Sequence, residues 1–188
     1  MIKRLLLSLA LVVLALPAAA ADPGSIEIVF PQDATVTHFT DSWGAARAGH
    51  RHQGNDLMAP KMTPVVAAAD GVVSWIRDSG TAGRYVAIEH EGGWETWYMH
   101  LNDDNVGTDD GAAPVELGIA VVAGEEVETG QVIGWVGDSG NAEGASPHTH
   151  FELHINGQAV DPHSYLVKAF DEALVAEKTE PTASFILR

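Results

Sequence analysis

GRYVAIEHEGGWETWYMHL, Gly83 to Leu101, holds two runs of apolar, aromatic and β-branched residues on either side of Gly92-Gly93. Short runs of that kind read as strands, and a glycine pair between them tolerates the positive φ of a tight hairpin turn. Antiparallel pairing follows. The same punctuation continues in both directions, where SIEIVF, TPVVAAADGVVSWI, APVELGIAVV, QVIGWVG and THFELHI are separated by Gly, Asp and Pro. Asp70-Gly71 and Asn156-Gly157 are further turn candidates. The pattern predicts a mostly β protein built on an antiparallel β-sheet sandwich. One convincing helix lies near the end, in DPHSYLVKAFDEALVAEK: Asp161 can cap it, Pro162 suits its first turn, and Leu166, Phe170 and Leu174 fall on one stripe.

A chain of 188 residues with 46% hydrophobic content can bury one well-packed domain. Its first residues, MIKRLLLSLALVVLALPAAAAD, combine a basic start, an apolar run and small residues ending near Ala20 or Ala21, the pattern of a secretory signal peptide over residues 1–21. The apolar run is shorter than the roughly 20 residues a membrane span needs, so no span is expected after cleavage. Loss of Lys3 and Arg4 leaves eight basic residues against 26 acidic ones, a formal net charge of −18. Nucleic acid is therefore excluded as a partner, and anionic surfaces attract such a chain poorly. With no cysteine, there is neither a disulfide nor a thiolate site. Any metal must rest on His, Asp or Glu.

Nine histidines supply candidates. In SPHTHFELH, Ser146 to His154, strand alternation puts His148, His150, Glu152 and His154 on one face and Phe151, Leu153 and Ile155 behind it. His150 and His154 would lie about 13 Å apart along a strand and His148 and His150 about 7 Å, so only the latter two can share a site. A second His-x-His, His50/His52, is followed by Gly54, Asp56 and the apolar Leu57 and Met58, which could hold the carboxylate rigidly. Asp104 offers a similar His-x₃-Asp match to His100, but it sits in the acidic, turn-rich NDDNVGTDDGAAP and reads as a solvated charge; His50 reads as a neighbour of the site. Two imidazoles and one carboxylate leave a Zn²⁺ with an open position for water, and His52, Asp56 and His150 provide that count. His148 and His100 remain for proton transfer and oxyanion support.

Two units, TPVVAAADGVVSWI and AGEEVETGQVIGWVG, share a turn-and-strand character that suggests a hammerhead-like arrangement, as in lipoyl and biotinyl carriers. Neither has a lysine at the hairpin tip, so a carrier is not the reading. From Phe39 to Tyr165 the chain resembles the lysostaphin or LytM-type zinc endopeptidases of peptidoglycan, through DSWGAARAGHRHQGNDL, TPVVAAADGVVSWI, GRYVAIEH, WYMHL, VETGQVIGWVGDSG and PHTHFELHINGQAVDPHSYL in that order. The resemblance implies a duplicated-hybrid-motif fold and one zinc ion on His52, Asp56 and His150. It also implies catalytic roles for His148 and His100 that could be exchanged between them. The substrate it implies is a peptidoglycan peptide, attacked by a monomer in the periplasm or outside the cell.

The expected division is a signal peptide at 1–21, lead-in strands at 22–38, the peptidase domain at 39–167 and a C-terminal helix or tail at 168–188. An insertion at 102–123 departs from the family's usual passage from the "HL" strand to the Gly-rich hairpin. It is expected to be a surface loop beside the cleft. His154 reads as a surface or structural residue, Glu152 as a partner of a ligand or a cross-strand ion pair, and His38, His90 and His163 as structural. No wall-binding module or long coiled coil is expected. A non-catalytic activator of wall hydrolases and a secreted zinc protease of Gly-rich proteins are the alternatives.

Overall fold

The computed structural model describes residues 22–179. The expected signal peptide at 1–21 and residues 180–188 of the tail lie outside the described residues. In chain order the strands are β1 (Ala46–Arg47), β2 (His50–Arg51), β3 (Asn55–Met58), β4 (Pro64–Val66), β5 (Gly71–Ser79), β6 (Gly83–Glu89), β7 (Trp94–Leu101), β8 (Glu126–Val127), β9 (Val132–Trp135), β10 (His148–Ile155) and β11 (Gln158–Val160), followed by the helix α1 (His163–Thr179). Gly92 and Gly93, both at positive φ, turn β6 into β7, and Asn156-Gly157 does the same between β10 and β11. The main sheet runs β11-β10-β7-β6-β5-β8 and is antiparallel throughout. β3 and β11 divide one edge of β10 between them. β4 pairs with β9 and β1 with β2 in separate two-stranded ribbons. The fold class is the expected one.

Alternation decides which residues fill the core. Leu57, Val73, Val86, Ile88, Tyr98 and Phe151 point inward from the main sheet and meet Val65 and Ile133 of the β4–β9 ribbon; all are fully buried. Each such side chain stabilises the fold by about 1.5–3 kcal/mol relative to exposure. α1 lays Leu166 and Ala169 on this core, with Phe170 packed against Phe30 and Phe39 at centroid distances of 5.0 and 5.4 Å. The Asp161 carboxylate accepts from the His163 N–H, so the helix begins at its expected cap, five residues before the boundary drawn at 168.

Five expectations change. Residues 22–38 contain a 3₁₀ turn and isolated bridges at Gln32 and His38 in place of lead-in strands. Pro31, which has no N–H, interrupts any ladder there. APVELGIAVV forms a 3₁₀ turn at Val115–Leu117 and one bridge at Ile119, because the chain crosses Asn102 so closely that a Cβ on Gly118 would collide with its carbonyl oxygen. Asp70-Gly71 joins the β4–β9 ribbon to the main sheet and is not a hairpin turn. The insertion is partly internal, with Ala113, Ile119 and Val121 buried.

Asp104 is only 3% exposed and is not a solvated charge. Lys61, in the turn after β3, reaches its Oδ2 at 2.6 Å and the Oδ1 of Asp138 at 2.7 Å, and also pairs with Asp109. Burial alone would lower the Lys61 pKa, but these carboxylates raise it above the usual ammonium value. Among the described residues no helix is long and apolar enough to cross a membrane.

Candidate metal centre

The outer face of β10 carries His148, His150, Glu152 and His154, as alternation requires, and all four line a groove of about 930 Å³. Antiparallel register places Asp56 of β3 directly opposite His150, so the carboxylate and imidazole share that face. His52 joins them from the link between β2 and β3. Gly54 makes this possible: a Cβ there would lie 2.2 Å from the Phe151 carbonyl oxygen and 2.9 Å from His150 Nε2. No residue with a side chain can let the loop approach β10 this closely.

His52 Nε2, His150 Nδ1 and Asp56 Oδ1 form a triangle with sides of 2.8, 3.0 and 3.0 Å. The outer nitrogens settle what the inner ones can do. His52 Nδ1 faces the Ser42 carbonyl at 2.9 Å, and His150 Nε2 faces the Glu152 carboxylate at 2.9 Å. Both partners only accept, so each outer nitrogen carries the proton and each inner nitrogen of a neutral ring presents a lone pair. Three acceptors thus converge with no donor among them. That arrangement calls for a cation, and two imidazoles with one carboxylate are a fitting donor set for zinc. Without a metal, the protonated forms of His150 and His52 take the cation's place and hold the Asp56 carboxylate far below its usual range against the opposing effect of burial.

His100 reaches the same groove by a different route. In β7, simple alternation would put His100 with Tyr98 on the core side. Opposite Arg84–Val86 of β6, however, β7 spends three steps, Tyr98 to Leu101, where β6 spends two. This bulge, with His100 at φ 60°, turns both Met99 and His100 to the groove and returns Leu101 to the core. The ring centroids of His100 and His148 are 5.0 Å apart, and His148 Nε2 is 3.8 Å from Asp56 Oδ1. Each of the two commits Nδ1–H to a carbonyl, His100 to Ser139 at 2.9 Å and His148 to Ser146 at 2.8 Å. Each therefore offers a lone pair at Nε2. Burial, reinforced by the His148 charge, lowers the His100 pKa to about 4.

His154 is not a surface residue: it is 8% exposed, stacks on Trp97 at 4.0 Å and donates to Glu152 at 2.6 Å. Glu152 thus bridges His150 and His154, and these imidazoles bring its pKa down to about 2 against the opposing effect of burial. The shared parity of Glu152 with the histidines was the signal for this bridge. Arg47 had none, yet its Nη2 lies 2.7 Å from Asp56 Oδ2 at the groove's rim. His50 lines the groove outside the triangle, while His90 lies elsewhere, stacked on Trp94 and bonded to Thr96. Asp103, Asp104 and Asp138 form one further carboxylate group close enough for a metal and Asp109, Asp138 and Glu143 another, but the Lys61 ammonium already pairs with carboxylates of both.

The model of peptidase family M23 matches residues 50–162. Over 138 residues the chain is 37% identical to the DD-carboxypeptidase/endopeptidase Mpg of Neisseria meningitidis, covering 70% of this chain and 28% of that protein. It is 38% identical over 112 residues to an uncharacterized metalloprotease of Haemophilus influenzae, covering 59% and 20%. The alignments thus span between 20% and 28% of these relatives' lengths. Among solved structures, the catalytic domain of lysostaphin from Staphylococcus simulans superposes with a TM-score of 0.56 at 27% identity, over 70% of this chain and 92% of that one.

Proposed function

The chain belongs to peptidase family M23, and from that premise we propose that it is an exported zinc endopeptidase hydrolysing the cross-links or stem peptides of bacterial peptidoglycan. The observation that carries this reading is the meeting of three proton-free acceptors, on His52, Asp56 and His150, with two further Nε2 lone pairs on His100 and His148. A non-catalytic relative would not need both sets. Export is supported by the leader-like residues 1–21, and the wall substrate by what the Neisseria relative is called.

His52, Asp56 and His150 would hold the zinc, which would supply Lewis acidity to polarise a scissile carbonyl and acidify water. The chain's own residues handle the proton. Either His148 or His100 can accept it at Nε2, and the rings are close enough that two imidazolium charges together are disfavoured. The imidazolium so formed becomes the donor that a developing oxyanion, and then the departing amine, requires. Both Nδ1–H groups stay on their carbonyls throughout and keep the rings aimed at the groove. Digestion of purified sacculi by the mature chain, with mass analysis of the muropeptides released, tests the proposal; casein and an elastin-like peptide serve as parallel substrates. Release of peptides from the proteins but not from sacculi would overturn the wall assignment.

A further inference from the structure

We infer that Arg47 is a specificity-determining residue, selecting peptides that carry a free carboxylate next to the scissile amide. The inference rests on the peptidase reading above and names its substrate class. Among the described residues Arg47 is the only Lys or Arg lining the groove, in a chain of net charge −16. The β1–β2 hairpin, with Arg47 paired to His50, holds it over the Asp56 edge of the triangle. Its guanidinium makes one hydrogen bond among those residues, from Nη2 to Asp56 Oδ2, and its side chain is 42% exposed. One contact uses one of five N–H donors in a planar fork suited to carboxylates. The remaining donors face a groove whose other fixed charges, Asp56 and Glu152, are negative. Away from the metal position, Arg47 is thus the one fixed positive charge among the described groove residues that can hold an incoming anion.

Peptide chemistry narrows where that anion lies. The carbonyl half of a scissile amide has no α-carboxylate left beside the bond. The amine half keeps one in two cases: when it is the C-terminal residue, and when it is a diamino dicarboxylic acid joined through one of its two amino-acid centres. Both place a carboxylate one carbon from the amide nitrogen, and both are the same ligand to a guanidinium.

The test uses two peptides identical except that the amine-half residue ends in a carboxylate or a carboxamide, with a third arm comparing a linear peptide and a cross-linked dimer to separate the two carboxylate sources. The zinc-loaded wild type should prefer the carboxylate by about tenfold or more in kcat/KM, mostly through KM. In Arg47→Gln the preference should fall to near one, and Arg47→Lys should restore part of it. If Arg47 served only to position Asp56, both peptides would slow alike and their ratio would persist, which overturns the inference. So does a wild-type ratio near one. If neither peptide is cleaved, the peptidase reading fails while this one is still decided: calorimetric binding of the same peptides must show the carboxylate preference in the wild type and its loss in Arg47→Gln, and equal affinities would refute it.

Discussion

β10 and β7 bring histidines to one groove by opposite means. β10 is regular from His148 to Ile155, so period-two alternation alone puts His148, His150, Glu152 and His154 in a row, each tied to the next strand or the next side chain. β7 breaks its register, and His100 sits in the left-handed region that costs a non-glycine residue roughly 1–2 kcal/mol. In the proposed mechanism the regular strand supplies one metal ligand and the carboxylate behind it. The strained one supplies a proton acceptor with its tautomer set by a loop carbonyl. Ligands built on a regular ladder are hard to displace, while a residue aimed by a bulge can be re-aimed with little harm to the sheet.

The largest test of that contrast removes a member of the regular row. His150→Ala should abolish both zinc retention and activity, because a two-ligand site remains; elemental analysis beside muropeptide release reads both. His100→Ala and His148→Ala should each keep about one zinc per chain and lose about 10²–10⁴-fold in turnover. Zinc loss from His100→Ala would make the bulge a ligand-bearing element and erase the distinction. Next in size is Glu152→Gln, which keeps the shape but removes the charge facing His150; zinc affinity should weaken by about 10–100-fold in a chelator competition. Equal affinity would mean that the His150–Glu152–His154 row acts only through packing. The smallest effect concerns backbone alone. At position 100 glycine should be more stable than alanine by about 1 kcal/mol, whereas at position 148, in extended β10, alanine should win by about 0.5–1 kcal/mol. Urea denaturation of the four proteins checks the reversal.

The contrast also explains what could be read before any coordinates. Strand periodicity placed the residues of β10, and Gly54 between His52 and Asp56 was a visible mark of a close approach. The bulge left no mark: WETWYMHL alternates smoothly on paper, and His100 entered the site as a histidine left over from the ligand set and by resemblance. Asp104 was misjudged because its partner, Lys61, lies 43 residues away and composition only shows an acidic segment. SIEIVF, the apolar run before Pro31, reads as a strand, although residues 22–38 hold only a 3₁₀ turn and isolated bridges. Arg47 was invisible for a similar reason, since its meaning depends on a two-residue ribbon that sequence does not reveal.

Lys61 has a consequence for how the insertion can move. Its ammonium fastens three separate stretches of chain at one point: the turn after β3, the insertion at Asp104 and Asp109, and the loop before β10 at Asp138. The exposed tip at Val106 is thereby held on both sides, at Asp104 and at Asp109, which opposes a swing of the segment across the groove as one flap. Because Asp104 and Asp138 are buried, added salt screens this clamp far less than it would a surface pair. Asp138 precedes Ser139, whose carbonyl orients His100. The wall of the cleft and the aim of His100 thus hold the same alignment in dilute and in briny surroundings.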